Sequence, residues 1–347
     1  MKGYEKYIPF VPQPIENRTW PDKIITKAPV WCSVDLRDGN QALIDPMNMQ
    51  EKLDMFHLLV DKIGVKEVEI GFPSASDTDY EICRELIEGG HIPDDVTIQV
   101  LVQAREHLIR KTFEAIQGAK HVIFHFYNST STLQRQVVFE TDVEGVKKIA
   151  VDAAELIYEM AQPVLASGVD LRYEYSPESF TNTEMDYAVE VINSVINEWL
   201  GKTQTKPIIN LPATVECSMP NIFADQIEYI CENINNRNNV MISVHAHNDR
   251  GTGVAASEMS LLAGADRIEG TLFGNGERTG NADILNIAMN MYVIGVNPEL
   301  DFSHIINAKK IYEKCTKMPV SPRHPYAGEL VFTAFSGSHQ DAISKGF

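Results

Sequence analysis

The feature that most constrains this chain is a strand-then-helix rhythm that begins near residue 30 and repeats eight times. Short runs rich in β-branched and aromatic residues occur at 30–34, 67–72, 97–102, 121–126, 169–175, 207–210, 241–245 and 267–272. Most are followed by an amphipathic stretch, among them 49–63, 79–88, 143–166, 184–200 and 224–233. Strands this apolar are buried on both faces, the habit of a parallel sheet covered by helices. Eight such units close into a ring, so the expected fold is an α/β protein, a (β/α)8 TIM barrel. The alternative is an open doubly wound sheet. In its dinucleotide-binding form that fold wants a glycine-rich turn after the first strand, and the turn here, Leu36-Arg-Asp-Gly-Asn-Gln41, has one glycine.

Residues 1–29 are proline-rich (Pro9, Pro12, Pro14, Pro21, Pro29) and are expected to form an extended N-terminal arm packed on the barrel. The barrel itself is expected over 30–300. Residues 301–347 should begin a C-terminal helical subdomain, with a helix at 303–316, a loop at 321–328 and a further helical element across 332–345. The end at Phe347 is expected to interrupt that subdomain.

Composition narrows the function classes. No run of 18 apolar residues occurs and the first residues show no basic-then-apolar leader, so neither a membrane span nor secretion is expected. The five cysteines (Cys32, Cys83, Cys217, Cys231, Cys315) are scattered without a C-x-x-C pair, as reduced thiols of a cytoplasmic protein would be. A formal charge of −18 argues against nucleic-acid binding. It also means that an anionic substrate needs a local positive field, from a metal or a few arginines.

In a TIM barrel, function sits on the loops after the strands' C-terminal ends. Asp35-Leu-Arg-Asp-Gly-Asn-Gln41 lies at the first such mouth. An acidic residue beside Arg37 can hold a divalent cation there, or form a structural ion pair. His245-Ala-His-Asn-Asp249 ends strand seven. Residues two apart on a strand share a face, so His245 and His247 can present two imidazoles to one point. With Asp38 they make a two-histidine, one-carboxylate set with open coordination positions, suited to Mg²⁺, Mn²⁺ or Zn²⁺. The glycines of Phe273-Gly-Asn-Gly-Glu-Arg-Thr-Gly-Asn281 either cradle an anion or serve a tight turn. Other mouths offer His125 and Tyr127, the run Arg172 to Glu178, and Asn210-Leu-Pro-Ala-Thr214; each could also be a satisfied core polar group. His57 and His107, on expected helices, read as surface or satisfied histidines, and the methionines as gap-fillers.

Together, Leu36-Arg-Asp-Gly-Asn-Gln41, His125-Phe-Tyr-Asn-Ser-Thr130, Glu174-Tyr-Ser-Pro-Glu178, Asn210-Leu-Pro-Ala-Thr-Val-Glu216, His245-Ala-His-Asn-Asp249 and Gly274-Asn-Gly-Glu-Arg-Thr-Gly-Asn281 resemble the 2-isopropylmalate synthase family. Its members are metal-dependent, aldolase-like barrel acyltransferases. The resemblance implies a divalent metal held by Asp38, His245 and His247, with Asn281 close by. It implies Arg37 on the keto acid and a substrate pocket containing His125, Tyr127, Ser176, Glu178 and Thr214, with Glu174 a weaker member. It also implies that His339, in the Ser-Gly-Ser-His-Gln-Asp-Ala segment, activates acetyl-CoA, with Glu178 as helper.

The implied reaction is the first committed step of leucine biosynthesis. Acetyl-CoA condenses with the 2-oxo acid 3-methyl-2-oxobutanoate, and thioester hydrolysis gives 2-isopropylmalate. A homodimer is implied as well. Family members continue into a leucine-binding regulatory domain absent from these residues, so weak condensation, retained metal and keto-acid binding and no leucine inhibition are expected. A homocitrate or citramalate synthase, or a catalytically silent barrel, are the rival expectations.

Overall fold

The computed structural model describes residue 10 and residues 13–202 and 205–346. Eight parallel strands, β1 (Val30–Ser33), β2 (Glu67–Gly71), β3 (Thr97–Gln103), β4 (His121–Ser129), β5 (Asp170–Glu178), β6 (Ile208–Ala213), β7 (Met241–Ala246) and β8 (Arg267–Gly270), pair in sequence order, and β8 closes on β1. This is the expected (β/α)8 barrel. Around it run α1 (Met49–His57), α2 (Asp77–Glu88), α3 (Glu106–Ala115), α4 (Thr132–Val137), α5 (Val143–Ala166), α6 (Met185–Asn197), α7 (Pro220–Asn233), α8 (Gly253–Ala263) and α9 (Ile284–Val293). Beyond them lie α10 (Ile305–Thr316) and α11 (Gly337–Gly346). Among the described residues, no helix is long and apolar enough to cross a membrane.

Local chemistry sets the helix ends. Asn48 and Glu51 form a reciprocal capping box at α1, and the side chains of Ser76, Asp142 and Asp283 cap α2, α5 and α9. The expected helix at 49–63 changes character after His57: Leu58–Ile63 is a wide π-helical turn, closed by Gly64 at φ 89°. The outward residues of the strands, such as Ile70, Val100, Val102, Phe124, Phe126, Tyr173 and Tyr175, pack under the helices as the main apolar core. Trp199 is fully buried there, stacked on Tyr173 with ring centroids 5.0 Å apart.

The arm is tied to a helix far along the chain. Arg18 reaches Asp225 on α7 through two nitrogens at 2.6 and 2.7 Å, and Trp20 Nε1 donates to the same carboxylate at 2.8 Å. Thr19 Oγ1 donates to Glu228 at 2.5 Å. Pro9 and Pro12 lie outside the described residues.

Strand ends differ from the sequence expectation where polar residues begin. β4 and β5 continue to Ser129 and Glu178, pairing as far as Ser129↔Glu178. Tyr127, Ser176 and Glu178 therefore stand on strands, not on the loops after them, along with His125. β6 likewise runs on through Pro212 to Ala213. Ladder hydrogen bonds come from the backbone and ignore side-chain polarity, whereas the apolar pattern that delimits a strand in sequence stops at the first polar rim residue.

Candidate active site

The inner face of the barrel is largely polar. Period-two alternation points Glu67 and Glu69 of β2, Gln99 of β3, His125 of β4, Glu174 and Ser176 of β5, Asn210 of β6, Ser243 and His245 of β7, and Arg267 and Glu269 of β8 into one interior, all of them buried. Arg267 is the hub of the lower layer. Its guanidinium donates to Glu67 at 2.6 Å, to Glu269 at 3.0 Å, to Gln99 at 2.5 Å and to Ser243 at 2.8 Å. With a longer contact to Glu174 at 3.5 Å it has five polar partners, as a satisfied buried arginine does.

Gln99 links this layer to the next. Its amide donates to Glu69 at 2.7 Å and to Glu269 at 2.9 Å. Both of its protons are thereby engaged, so the contact between His125 Nδ1 and Glu69 at 2.8 Å is an N–H of the imidazole donating to the carboxylate. On the other side of that ring, Nε2 lies 2.7 Å from Ser176 Oγ, which also accepts from Asn210 at 3.1 Å. Three inward carboxylates share this space. Burial raises all three, but Glu69, beside Arg37 and His125, and Glu269, beside His245 and Arg267, end below the ordinary carboxylate range. Glu174 is pushed up by burial, against the pull of Arg267, with the neighbouring Glu269 adding to the rise.

Above this floor, Asp38, His245 and His247 converge. Their candidate ligand atoms all lie within 4.8 Å of one another. Asp38 sits in the π-helical turn Asp35–Gly39 after β1, His245 is on β7 and His247 lies just past its end. Nε2 of His245 and of His247 stand 3.3 and 3.6 Å from Asp38 Oδ2. That buried oxygen nevertheless makes no hydrogen bond, and neither does the buried Oδ1 of Asn281, whose backbone bridges to His247. Buried polar atoms without partners demand an explanation. One carboxylate and two imidazoles facing a common point, with unpartnered oxygens, is a donor set that fits a divalent cation. His245 presents Nδ1 to Glu269 at 3.0 Å, the carboxylate–histidine arrangement that orients a metal ligand.

The electrostatics agree with this crowding. Burial pushes the Asp38 carboxyl up, but Arg37 and the two imidazoles outweigh it and hold it well below the usual range. His245 is lowered by burial yet lifted to about 9 by Asp38 and Glu269, while burial and His245 bring His247 down to about 4.

A cavity of about 260 Å³ opens over the cluster. It is lined by Arg37, Asp38, His125, Tyr127, Ser176, Glu178, Thr214, His245 and His247, all expected from the sequence, and also by Phe72, Leu101, Pro212, Glu269, Glu277 and Arg278. Arg37 Nε is held by Glu69 at 2.5 Å and its Nη1 lies 3.3 Å from Asp38. Burial raises the Glu178 carboxyl, with Ser129 opposing. Glu174 lies beneath the cavity, 3.6 Å from His125 Nε2, and does not line it. His339 is exposed on α11 and is not among the lining residues.

Glu69, Gln99, Arg267 and Glu269 received no role from the sequence, and Asn210 entered only as part of the run that ends at Thr214. Their signal was present: charged or amide residues at every second position of otherwise apolar strands, as in Glu67/Glu69 and Arg267/Glu269.

A family profile described as HMGL-like matches residues 28–311, and one described as alpha-isopropylmalate synthase, post-catalytic domain-like, matches residues 329–347. The chain is 61% identical over 343 residues to the 2-isopropylmalate synthase of Clostridium acetobutylicum, covering 99% of this chain and 61% of that protein. It is 60% identical over 341 residues to that of Rhizobium johnstonii, covering 98% and 60%. The chain thus spans about three fifths of the length of these curated relatives. Among solved structures, an HMG-CoA lyase from Bacillus subtilis superposes with a TM-score of 0.65 at 17% identity, over 86% of this chain and 96% of that one. An HMG-CoA lyase from Acinetobacter baumannii, solved with coenzyme A and 3-methylmalate, gives 0.66 at 16%, over 89% and 96%. At those identities the likeness speaks for the barrel alone.

Proposed function

This chain belongs to the HMGL-like family, and from that premise we propose that it condenses acetyl-CoA with 3-methyl-2-oxobutanoate and hydrolyses the thioester, yielding 2-isopropylmalate and CoA. The observation that carries this reading is the Asp38–His245–His247 cluster at the base of a small cavity with Arg37 on its wall. The 2-isopropylmalate synthases it resembles support the choice of substrates.

Asp38, His245 and His247, with Asn281 alongside, would hold a divalent cation: Mg²⁺, Mn²⁺ or Zn²⁺. When bound, such an ion supplies Lewis acidity to the keto group of a 2-oxo acid. Arg37, fixed by Glu69, faces the same space and neutralises the charge that develops on the alkoxide. Thr214 Oγ1 accepts from the Ser179 backbone at 3.0 Å, which leaves its own proton free to donate to the substrate carboxylate. Ser176 and His125, locked to each other, bound the pocket floor, and Phe72, Leu101 and Pro212 give apolar surface for a branched side chain.

Two groups were expected to move the acetyl proton. Glu178 lines the cavity, and burial makes its ionised form a stronger base. His339, exposed on α11, stands outside that lining, and in this reading it serves acetyl-CoA with Glu178 as helper from within the cavity. Acetyl-CoA and the 2-oxo acid are the partners of this reading, and a homodimer is its assembly.

The test is calorimetric binding of a panel of 2-oxo acids with Mn²⁺ present, paired with free-thiol release from acetyl-CoA. 3-Methyl-2-oxobutanoate should bind more tightly than pyruvate or 2-oxoglutarate. A reversed order would overturn the substrate assignment, and no binding by any of them would overturn the site.

A further inference from the structure

We propose that His57 and His91 form a second cation site, on the outside of the barrel, of the kind that takes zinc, copper or nickel. His57 is the last residue of α1, and His91 follows α2 in the loop that leads to β3. Their rings meet edge to face with centroids 5.3 Å apart, and His57 Nε2 stands 3.2 Å from His91 Nδ1. Neither residue lines the barrel cavity.

The outer nitrogen of each ring is engaged by a carboxylate. Asp61 lies 2.8 Å from His57 Nδ1, and Glu85 lies 3.3 Å from His91 Nε2. An ionised carboxylate only accepts, so each outer nitrogen carries its ring's proton. In two neutral imidazoles the inner nitrogens then face one another as bare lone pairs at 3.2 Å. Something positive belongs between them, either one shared proton or a cation.

The geometry favours the cation. Two nitrogens bound tetrahedrally at about 2.0–2.1 Å from zinc are roughly 3.3 Å apart, and the pair already stands at 3.2 Å. Imidazoles whose far nitrogens are steadied by carboxylates are the usual form of protein metal ligands. The backbone makes room for this arrangement. A Cβ at Gly89 would lie 2.7 Å from Cδ2 and Nε2 of His91, so the ring rests against a residue without one. Two nitrogen donors with open positions for water suit borderline transition metals; Mg²⁺ and Ca²⁺ want oxygen. A bound ion would staple the end of α1 to the loop before β3.

Zinc bound per chain is counted by equilibrium dialysis with excess Mg²⁺. The wild type, the His245→Ala/His247→Ala variant and the same variant carrying His91→Gln are compared. The His245→Ala/His247→Ala variant should retain one zinc, and adding His91→Gln should weaken that binding at least tenfold. A zinc-edge anomalous peak should fall between His57 and His91 in crystals of the wild type. Unchanged zinc binding on adding His91→Gln, or no such peak at saturating zinc, would overturn the proposal and leave a shared proton as the link.

Discussion

Glu269 holds Nδ1 of His245 at 3.0 Å while Nε2 of the same ring turns toward Asp38 at 3.3 Å. The carboxylate therefore fixes the proton on Nδ1 and frees Nε2 to bind a cation. Glu269→Gln keeps the volume but lets the amide donate to Nδ1 and favour the other tautomer. Mn²⁺ affinity by calorimetry is expected to fall about 10–100-fold with an unchanged far-UV spectrum. His245→Ala should abolish both Mn²⁺ and 2-oxo-acid binding. Wild-type affinity in either variant would contradict the ligand geometry.

Arg267 is the counter-charge for the barrel floor, with Glu67 and Glu269 both on its guanidinium. Removing one partner of a buried ion pair strands the other in a low dielectric. Arg267→Met is therefore expected to destabilise the fold by about 3–5 kcal/mol, seen as a lower urea midpoint or loss of soluble protein. A midpoint near the wild-type value would show that the floor is more hydrated than its burial implies.

Asp35 is buried beneath the β8 loop, where Ser33 and the Leu272 amide donate to it. Burial outweighs those bonds and pushes its carboxyl up to about 7. Between roughly pH 4, where an unfolded aspartate titrates, and about pH 7, the folded chain holds a proton that the unfolded chain has released. This group's contribution to stability is thus lost as pH rises through that window, by about 4 kcal/mol at most. Asp35→Asn has no such proton to lose, so its stability relative to wild type should rise from pH 5 to pH 8 in urea titrations. A constant difference across that range would refute the assignment.

Gly280 adopts φ 103°, and a Cβ there would lie 1.9 Å from the Gly274 carbonyl oxygen. Gly280→Ala must displace the loop that carries Arg278 and Asn281. Because a shift of about an ångström can cost about 10²-fold in a positioned site, 2-oxo-acid affinity should fall by one to two orders of magnitude. The helices should unfold at nearly the same temperature. Undiminished affinity would mean that this loop does not shape the pocket.

The barrel was legible because eight apolar runs are spaced by amphipathic stretches, and helices such as Val143–Ala166 carry both their cap and their period in sequence. The two-residue spacing of His245 and His247 was equally readable, since strand geometry alone puts both on one face. Asp38 joins them across the β1–β8 seam only once the sheet closes, and no local pattern records that closure. The floor residues were missed for a related reason: Glu69, Gln99 and Glu269 are partners across three strands, and a single strand shows only an isolated polar residue. The edge-to-face meeting of His57 with His91 depends on how α1 packs against α2, which periodicity does not specify.

Asp225 and Glu228 are almost completely buried on α7, and their hydrogen-bonding partners at Arg18, Thr19 and Trp20 come from a stretch with hardly any regular structure. Trimming the chain past Trp20 would leave two acidic groups sealed under a helix with little to balance them. A protease that nicks the arm would then loosen the barrel on the flank where α7 meets α8, more than two hundred residues downstream of the cut.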